Sequence, residues 1–380
     1  MRRIVAITSL LIMLSSCKQT ISDFQYNNFI KYLGSGSGSY GYDMAELSDG
    51  GYIITGSDNS SQFQKQTIIV RTDKAGNSKW NKNFGTEHNE EGMVIDMLNE
   101  EIIVAGNKTD YVTGASQAFL LRVDSNGDSL NFHTYGGDKN VVLHHMGIQN
   151  NNIYIAGEIY EGNPQTANYY IACIDPAGEL IWQRIYGNTN GRQAFKRILF
   201  NDNGSISAIG TNNALVGSEF THISYTELNN DGIPVGGLHL PSNQNQVFGD
   251  AISLNNNLYI LYSTESEQST NSYITRITET SIDWDINLDN AGRGTSITMT
   301  KDNNFLLSTV NNELATFYTI GFSENGETLS VEELKSFPGE VNRTISTEKG
   351  GIIAIGATSV SEGGMVRLLK TNAELYLLNP

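Results

Sequence analysis

A short apolar strand returns along the chain at a nearly fixed interval, and this repeat constrains the fold more than any other feature. Gly51-Tyr52-Ile53-Ile54-Thr55-Gly56 is echoed by Ile102-Ile103-Val104-Ala105-Gly106, Ile153-Tyr154-Ile155-Ala156-Gly157, Ile206-Ser207-Ala208-Ile209-Gly210 and Ile352-Ile353-Ala354-Ile355-Gly356. Two altered copies, Leu258-Tyr259-Ile260-Leu261-Tyr262 and Phe305-Leu306-Leu307-Ser308-Thr309, put Tyr262 and Thr309 where glycine stands elsewhere. The closing positions are spaced by 50, 51, 53, 52, 47 and 47 residues, which makes seven units. A unit of this length cannot cover its own apolar faces, so the units must stack against one another around a shared core.

Each marker is preceded by a further strand, such as residues 42–47 or 93–99, and followed by a variable loop, another strand, a tight turn and a last strand. The first unit shows the turn as Asp73-Lys74-Ala75-Gly76, running on through Trp80 to Phe84-Gly85. The next two give Asp124-Ser125-Asn126-Gly127 to Tyr135-Gly136, and Asp175-Pro176-Ala177-Gly178 with Trp182 and Tyr186-Gly187. Four short strands in about 50 residues is a propeller blade. With 38 Gly and only 6 Pro, the expected fold is all-β: a single seven-bladed β-propeller, four strands per blade. The markers are apolar at consecutive positions, as in a sheet covered on both faces by its neighbours.

Asp-x-x-Gly-x-x-x-Trp followed by aromatic-Gly, together with Gly-Gly-Tyr-Ile-Ile-x-Gly, resembles the bacterial β-propeller repeat lipoproteins across nearly the whole chain. The resemblance implies the architecture and no defined activity. Quinone-dependent propeller enzymes share a related Gly-x-x-x-Trp pattern, but their cofactor ligands find no match here, and no cofactor is expected.

The N-terminus reads as an address. Met1-Arg2-Arg3 is a positive start, residues 4–14 are a short apolar stretch, and Leu14-Ser15-Ser16-Cys17 resembles the bacterial lipobox. The stretch is too short to span a bilayer, for which about 20 residues are needed. The expected division is a signal over 1–16, a lipidated Cys17 with a tether to residue 26, and the propeller over 27–380. Lys18 and Gln19 follow the cysteine; in the family resembled, an Asp there would favour the inner membrane, so the expected address is the outer membrane, with membrane contact through the lipid alone. Loss of residues 1–16 would remove Arg2 and Arg3 and move the formal net charge from −17 to −19. Nucleic acid is excluded as a partner by that charge. Cys173, in an apolar run, reads as a small buried hydrophobe.

The last unit is one strand short. Phe29-Ile30-Lys31-Tyr32-Leu33-Gly34 aligns with Trp80-Asn81-Lys82-Asn83-Phe84-Gly85 one repeat later, so residues 29–33 are expected to pair with 365–370 and close the ring. The competing strand is 375–378.

In an antiparallel blade the first and third turns share one face of the disc, while the second turn and the crossover share the other. The first face carries short uniform turns. The opposite face carries the long, dissimilar loops 57–66, 107–117, 158–168, 211–220 and 264–271, and loops free of the repeat are the ones that specialise. Candidate binding residues there are Glu90, Glu91, Tyr111, Tyr160, Arg192 and Arg293, the two arginines being suited to a carboxylate at the channel mouth. No catalytic or metal-binding residues are assigned. Gly36-Ser37-Gly38-Ser39-Tyr40-Gly41 matches a dinucleotide fingerprint but lacks a following helix. Asp124-Ser125-Asn126-Gly127-Asp128 begins like a calcium loop, but its sixth and twelfth positions are Ser129 and Tyr135. His144 and His145, adjacent on a strand, are expected on opposite faces. Asp283 and Asp285 fall on an outer strand. No convergent His, Asp, Glu or Arg set is visible at repeat-equivalent positions. The expected function is therefore a non-catalytic envelope lipoprotein: a protein- or glycan-binding module, or a scaffold subunit of an outer-membrane complex. The alternative is a propeller hydrolase or lyase with its site at the central channel mouth.

Overall fold

The computed structural model describes residues 28–371, apart from 36–37, 60–63, 189, 266–268, 280, 301–302, 312–313, 323–327, 348–350 and 361–362. Cys17 and residues 375–378 lie outside the described residues. Strands are numbered in chain order from β1 (Phe29–Leu33) to β28 (Gly363–Lys370), and they form seven separate four-stranded antiparallel sheets. The first blade runs β2 (Ser39–Glu46), β3 (Tyr52–Asp58), β4 (Gln66–Thr72) and β5 (Ser78–Phe84) from the centre outward. The innermost strands of the later blades are β6 (Asn89–Leu98), β10 (Asn140–Gln149), β14 (Gln193–Phe200), β18 (Gln246–Leu254), β22 (Arg293–Met299) and β26 (Arg343–Ser346). Each touches the next around the ring, and β26 returns to β2.

Seven apolar layers, one between each pair of adjacent blades, take the place of a single core. This is why the markers show no alternation: every residue of Tyr52–Asp58 is buried. The terminal glycine of the marker has a steric reason. It faces a β-bulge on the inner strand, and a Cβ at Gly56, Gly106, Gly157, Gly210 or Gly356 would collide with the carbonyl oxygen of Tyr40, Glu91, Val142, Ala194 or Glu340. Blades five and six set Tyr262 and Thr309 opposite the bulge, with glycine on the inner strand instead, at Gly249 and Gly294.

The turn motif is explained as well. Asp73 Oδ1 accepts from the Ala75 and Asn77 amides, both at 2.9 Å, and Asp124 and Asp175 repeat the arrangement. A carboxylate that closes its own turn in this way is an Asx cap. The turn glycines, Gly127, Gly178 and Gly232, have φ of +82°, +97° and +75° and lie under Lys82, His133 and Trp182 of the preceding blade, so a side chain there would be strained twice over.

The ring closes through the N-terminal strand. β1 pairs with β28 in antiparallel register from Phe29 opposite Lys370 to Leu33 opposite Val366. Gly41 of the would-be dinucleotide fingerprint is already within the first inner strand.

Candidate functional site

Chain direction puts the β3–β4 loop and every blade-to-blade crossover on one face, and the tight turns on the other. Six of the sequence-selected residues lie at the variable-loop face, but their environments differ. Glu90 is 1% exposed; its carboxylate accepts from the Thr86 amide (3.2 Å) and the Thr86 hydroxyl, with Lys108 Nζ at 4.0 Å. It is an internal anchor of the crossover and not a rim residue. Glu91 is partly exposed and takes Lys65 Nζ at 2.9 Å and the Tyr42 hydroxyl at 3.2 Å. Tyr111 stands 61% exposed, with the His88 ring 6.4 Å away. Tyr160 is half-buried at the end of its strand, and Arg293 is exposed at the start of β22. Arg192 is committed to the buried Glu158, with Nε and a terminal nitrogen at 2.6 and 2.5 Å from its two oxygens. The structure therefore does not gather the six into one site.

What it gathers instead is a recess of about 310 Å3 between the loops of blades two and three, lined by His88, Lys108, Asp110, Gln117, Asp138 and Lys139. Asp110 shapes its rim by accepting from the Val112 and Thr113 amides at 2.9 and 2.8 Å. A larger cleft, about 510 Å3, opens on the tight-turn face between blades four and five beside Asp202, Glu227 and Glu279.

A second arrangement corrects the expectation that no charged set converges at repeat-equivalent positions. The inner-strand bulges fall at Tyr42, Met93, His144, Lys196, Gly249 and Thr295. In five of the seven blades the residue after the bulge, or its counterpart in the last blade, is ionisable: Asp43, His145, Arg197, Asp250 and Arg343, with Val94 and Ser296 at the other two. Arg343 lies between two carboxylates, 3.0 Å from Asp250 and 3.6 Å from Asp43, and Arg197 approaches Asp250 at 3.5 Å. An inner strand has no neighbour on its axial edge, so its amides need acceptors. The set, together with Ser296 at the equivalent position, supplies four of them. The Ile95 amide donates to Asp43 (3.1 Å), that of Ile198 to His145 Nδ1 (3.4 Å), that of Ile297 to Asp250 (3.2 Å) and that of Thr344 to the Ser296 hydroxyl (3.1 Å). In each case a side chain of one blade holds the backbone of the next.

Electrostatics follow from this enclosure. Burial raises the Asp43 and Asp96 carboxyls above their ordinary values, with nearby Arg343 opposing both shifts. Burial, with Arg197 and Arg343 close by, drives the His145 imidazole well below its usual pKa, so it is neutral at pH 7 and accepts through Nδ1. His144 and His145 do not sit on opposite sides of a regular strand, because the bulge between Leu143 and His145 interrupts the alternation. His144 Nε2 instead meets Glu158 at 3.1 Å and Lys196 Nζ at 2.9 Å. The outer-strand pair is also accounted for: Asp285 accepts from the Tyr262 hydroxyl (3.1 Å) and from Thr275, and Asp283 pairs with Arg276.

Sequence reasoning picks out His145 only as a neighbour of His144 and misses the rest of the axial set, because Asp43, Asp250 and Arg343 are isolated charges and Arg197 stands beside Lys196 in an apolar run. The signal was positional: all lie twelve or thirteen residues ahead of their own markers.

No protein-family model matches the chain, and no curated protein matches it. Solved structures share the fold. Polysaccharide lyase Uly1 superposes with a TM-score of 0.56 at 8% identity, covering 88% of this chain and 90% of that one. Drosophila Plexin A, solved in complex with Semaphorin 1b, gives 0.54 at 8% identity over 91% and 86%. A protein from Lactobacillus plantarum gives 0.54 at 11% over 80% and 86%. At these identities the likeness establishes the propeller architecture alone.

Proposed function

We propose that this propeller is a non-catalytic binding module of the cell envelope, and that its variable-loop face takes up a glycan. One observation carries the reading. The acceptors of the axial set are engaged with backbone amides of the next blade and with each other's charges, whereas the polar recess of blades two and three stands beside an exposed tyrosine. A general acid or base needs a carboxylate or imidazole with capacity left for substrate. Glycan recognition needs what the recess has: several side-chain donors and acceptors beside an aromatic ring. A lyase or hydrolase built on the axial set would have to recruit groups already holding the blades together.

A glycan array probed with the detergent-solubilised chain tests the reading. Tyr111→Ala is expected to weaken the glycan found by about tenfold, or ~1.4 kcal/mol, with the melting temperature unchanged. Asp202→Lys, in the cleft on the tight-turn face, should leave affinity unaltered. Loss confined to the Asp202 variant would reverse the face assignment, and an array without hits alongside a co-purifying envelope protein would favour the scaffold reading.

Anchoring belongs to the same proposal. Cys17→Ala should move the protein from the membrane fraction to the soluble fraction, because one lipidated residue supplies the attachment. Retention on membranes after a high-salt wash would contradict it.

A further inference from the structure

The corner of the channel mouth where blades three and four meet holds four ionisable groups in contact: Glu158 and His144 of one blade, Arg192 and Lys196 of the next. Their charges do not balance. Arg192 neutralises Glu158 through a two-point contact; burial raises the Glu158 carboxyl, but this contact outweighs it and holds the group at about 2. His144 is kept uncharged, its pKa pushed down to about 4 by burial first and by Lys196 next. The remaining charge, Lys196, has a single hydrogen-bond partner among the described residues, His144 Nε2 at 2.9 Å. That nitrogen also lies 3.1 Å from Glu158, and a ring nitrogen serves only one partner in its plane. At least two of the three ammonium N–H groups are therefore left without an acceptor among the described residues. Arg192, whose side chain is 42% exposed, keeps further N–H groups on its solvent side.

We propose that this corner is a subsite for a single carboxylate borne by a small polar molecule, the sugar acids being the class it fits. The inference rests on the reading that the variable-loop face binds glycan and adds which glycan. Lys196 supplies the unpaired charge and the free edge of Arg192 a second donor. A polyanion is the wrong ligand. The whole chain carries a formal charge of −17, whose field repels a highly charged polymer at long range, while one carboxylate is held by short-range contacts that this field opposes only weakly.

Acid dependence has a definite sign. Burial lowers the Lys196 ammonium to about 8, against the attraction of Glu158 and with the help of Arg192; His144, the other titratable neighbour, is already neutral above pH 5. Carboxylate affinity should thus be full near pH 7 and fall as pH rises past 8.

The test is calorimetric, on the detergent-solubilised chain, with methyl glucuronide as probe and methyl glucoside and the glucuronide methyl ester as its neutral counterparts. At pH 7 the acid should bind at least tenfold more tightly than either, and at pH 9 the preference should shrink severalfold. Lys196→Met should erase the preference and Lys196→Arg retain most of it. Equal affinities for acid and ester on the unmodified protein overturn the subsite, as does a preference that survives in Lys196→Met; the acid–ester comparison decides even if that variant does not fold. Glucoside binding that is lost in Tyr111→Ala but indifferent to Lys196 would sink this inference while leaving the glycan reading standing.

Discussion

Deleting residues 24–33 should lower the melting temperature by about 10 °C or more, or send the protein into aggregates, while removing 378–380 should change little. The deletion takes out β1, the outer strand of the last blade, and with it Phe29 and Leu33, which are 6% and 8% exposed in the layer between the last and first blades. Two such side chains contribute ~1.5–3 kcal/mol each, and the lost ladder adds to that. At roughly 1–2 °C per kcal/mol for a domain of about 350 residues, and with about 1 kcal/mol for each lost ladder hydrogen bond, a fall of about 10 °C follows. The exposed β28 would then be a long apolar edge, the kind that recruits other chains. Differential scanning calorimetry with light scattering reads both effects. The reverse ranking of the two truncations would show that the closure gives the ring little of its stability.

Arg343→Met is expected to cost about 3–5 kcal/mol, because it strands Asp43 and Asp250 near the axis without their shared counter-charge. Removing the whole network need not be so expensive, so Asp250→Asn added to Arg343→Met should recover part of the loss. The pH dependence is a second signature. Asp43 already has a raised pKa, and without the guanidinium the folded state will favour its protonated form further. A carboxyl whose pKa is raised on folding binds more protons folded than unfolded between the two values, so its penalty is smallest at low pH and grows as pH rises through that window. The gap between the original protein and Arg343→Met, from urea melts, should therefore narrow between pH 7 and pH 5. A pH-independent gap below 1 kcal/mol would mean that the arginine fills space and little more.

The architecture was readable because repetition multiplies a weak signal. One strand such as Ile102–Gly106 proves nothing, but seven at nearly equal spacing allow only a stacked arrangement, and the alignment of Phe29–Leu33 with Trp80–Phe84 located the closing strand. The sites were harder because each departs from the repeat. Glu90 sits in the charge run 87–91, which looks solvated, yet the strand turns it inward, as at the buried Ser39 one blade earlier. His144 and His145 were assigned opposite directions by simple alternation, and the bulge that overrides it leaves only an indirect mark, the glycine forced on the neighbouring strand. Arg192 was chosen for its charge, but the partner that absorbs that charge, Glu158, lies 34 residues upstream, a distance no local pattern spans. Lys196 drew no notice in the sequence, since its importance comes from what its neighbours fail to offer.

The closing strand also fixes the side from which the chain enters the disc. β1 begins beside a tight turn: Lys31 Nζ reaches Asn77 Oδ1 at 2.9 Å, and the Phe29 ring covers Gly76. The chain thus enters the disc from its tight-turn side. From Cys17 to Phe29 a leash of twelve peptide units reaches at most about 40 Å. If Cys17 carries lipid, the bilayer lies below the tight turns, and the recess, Tyr111 and the Lys196 corner look outward from it like the bowl of a dish. Ligand would then arrive from the aqueous compartment, and the closure that keeps the ring intact would also limit how far from the bilayer the binding surface is displayed.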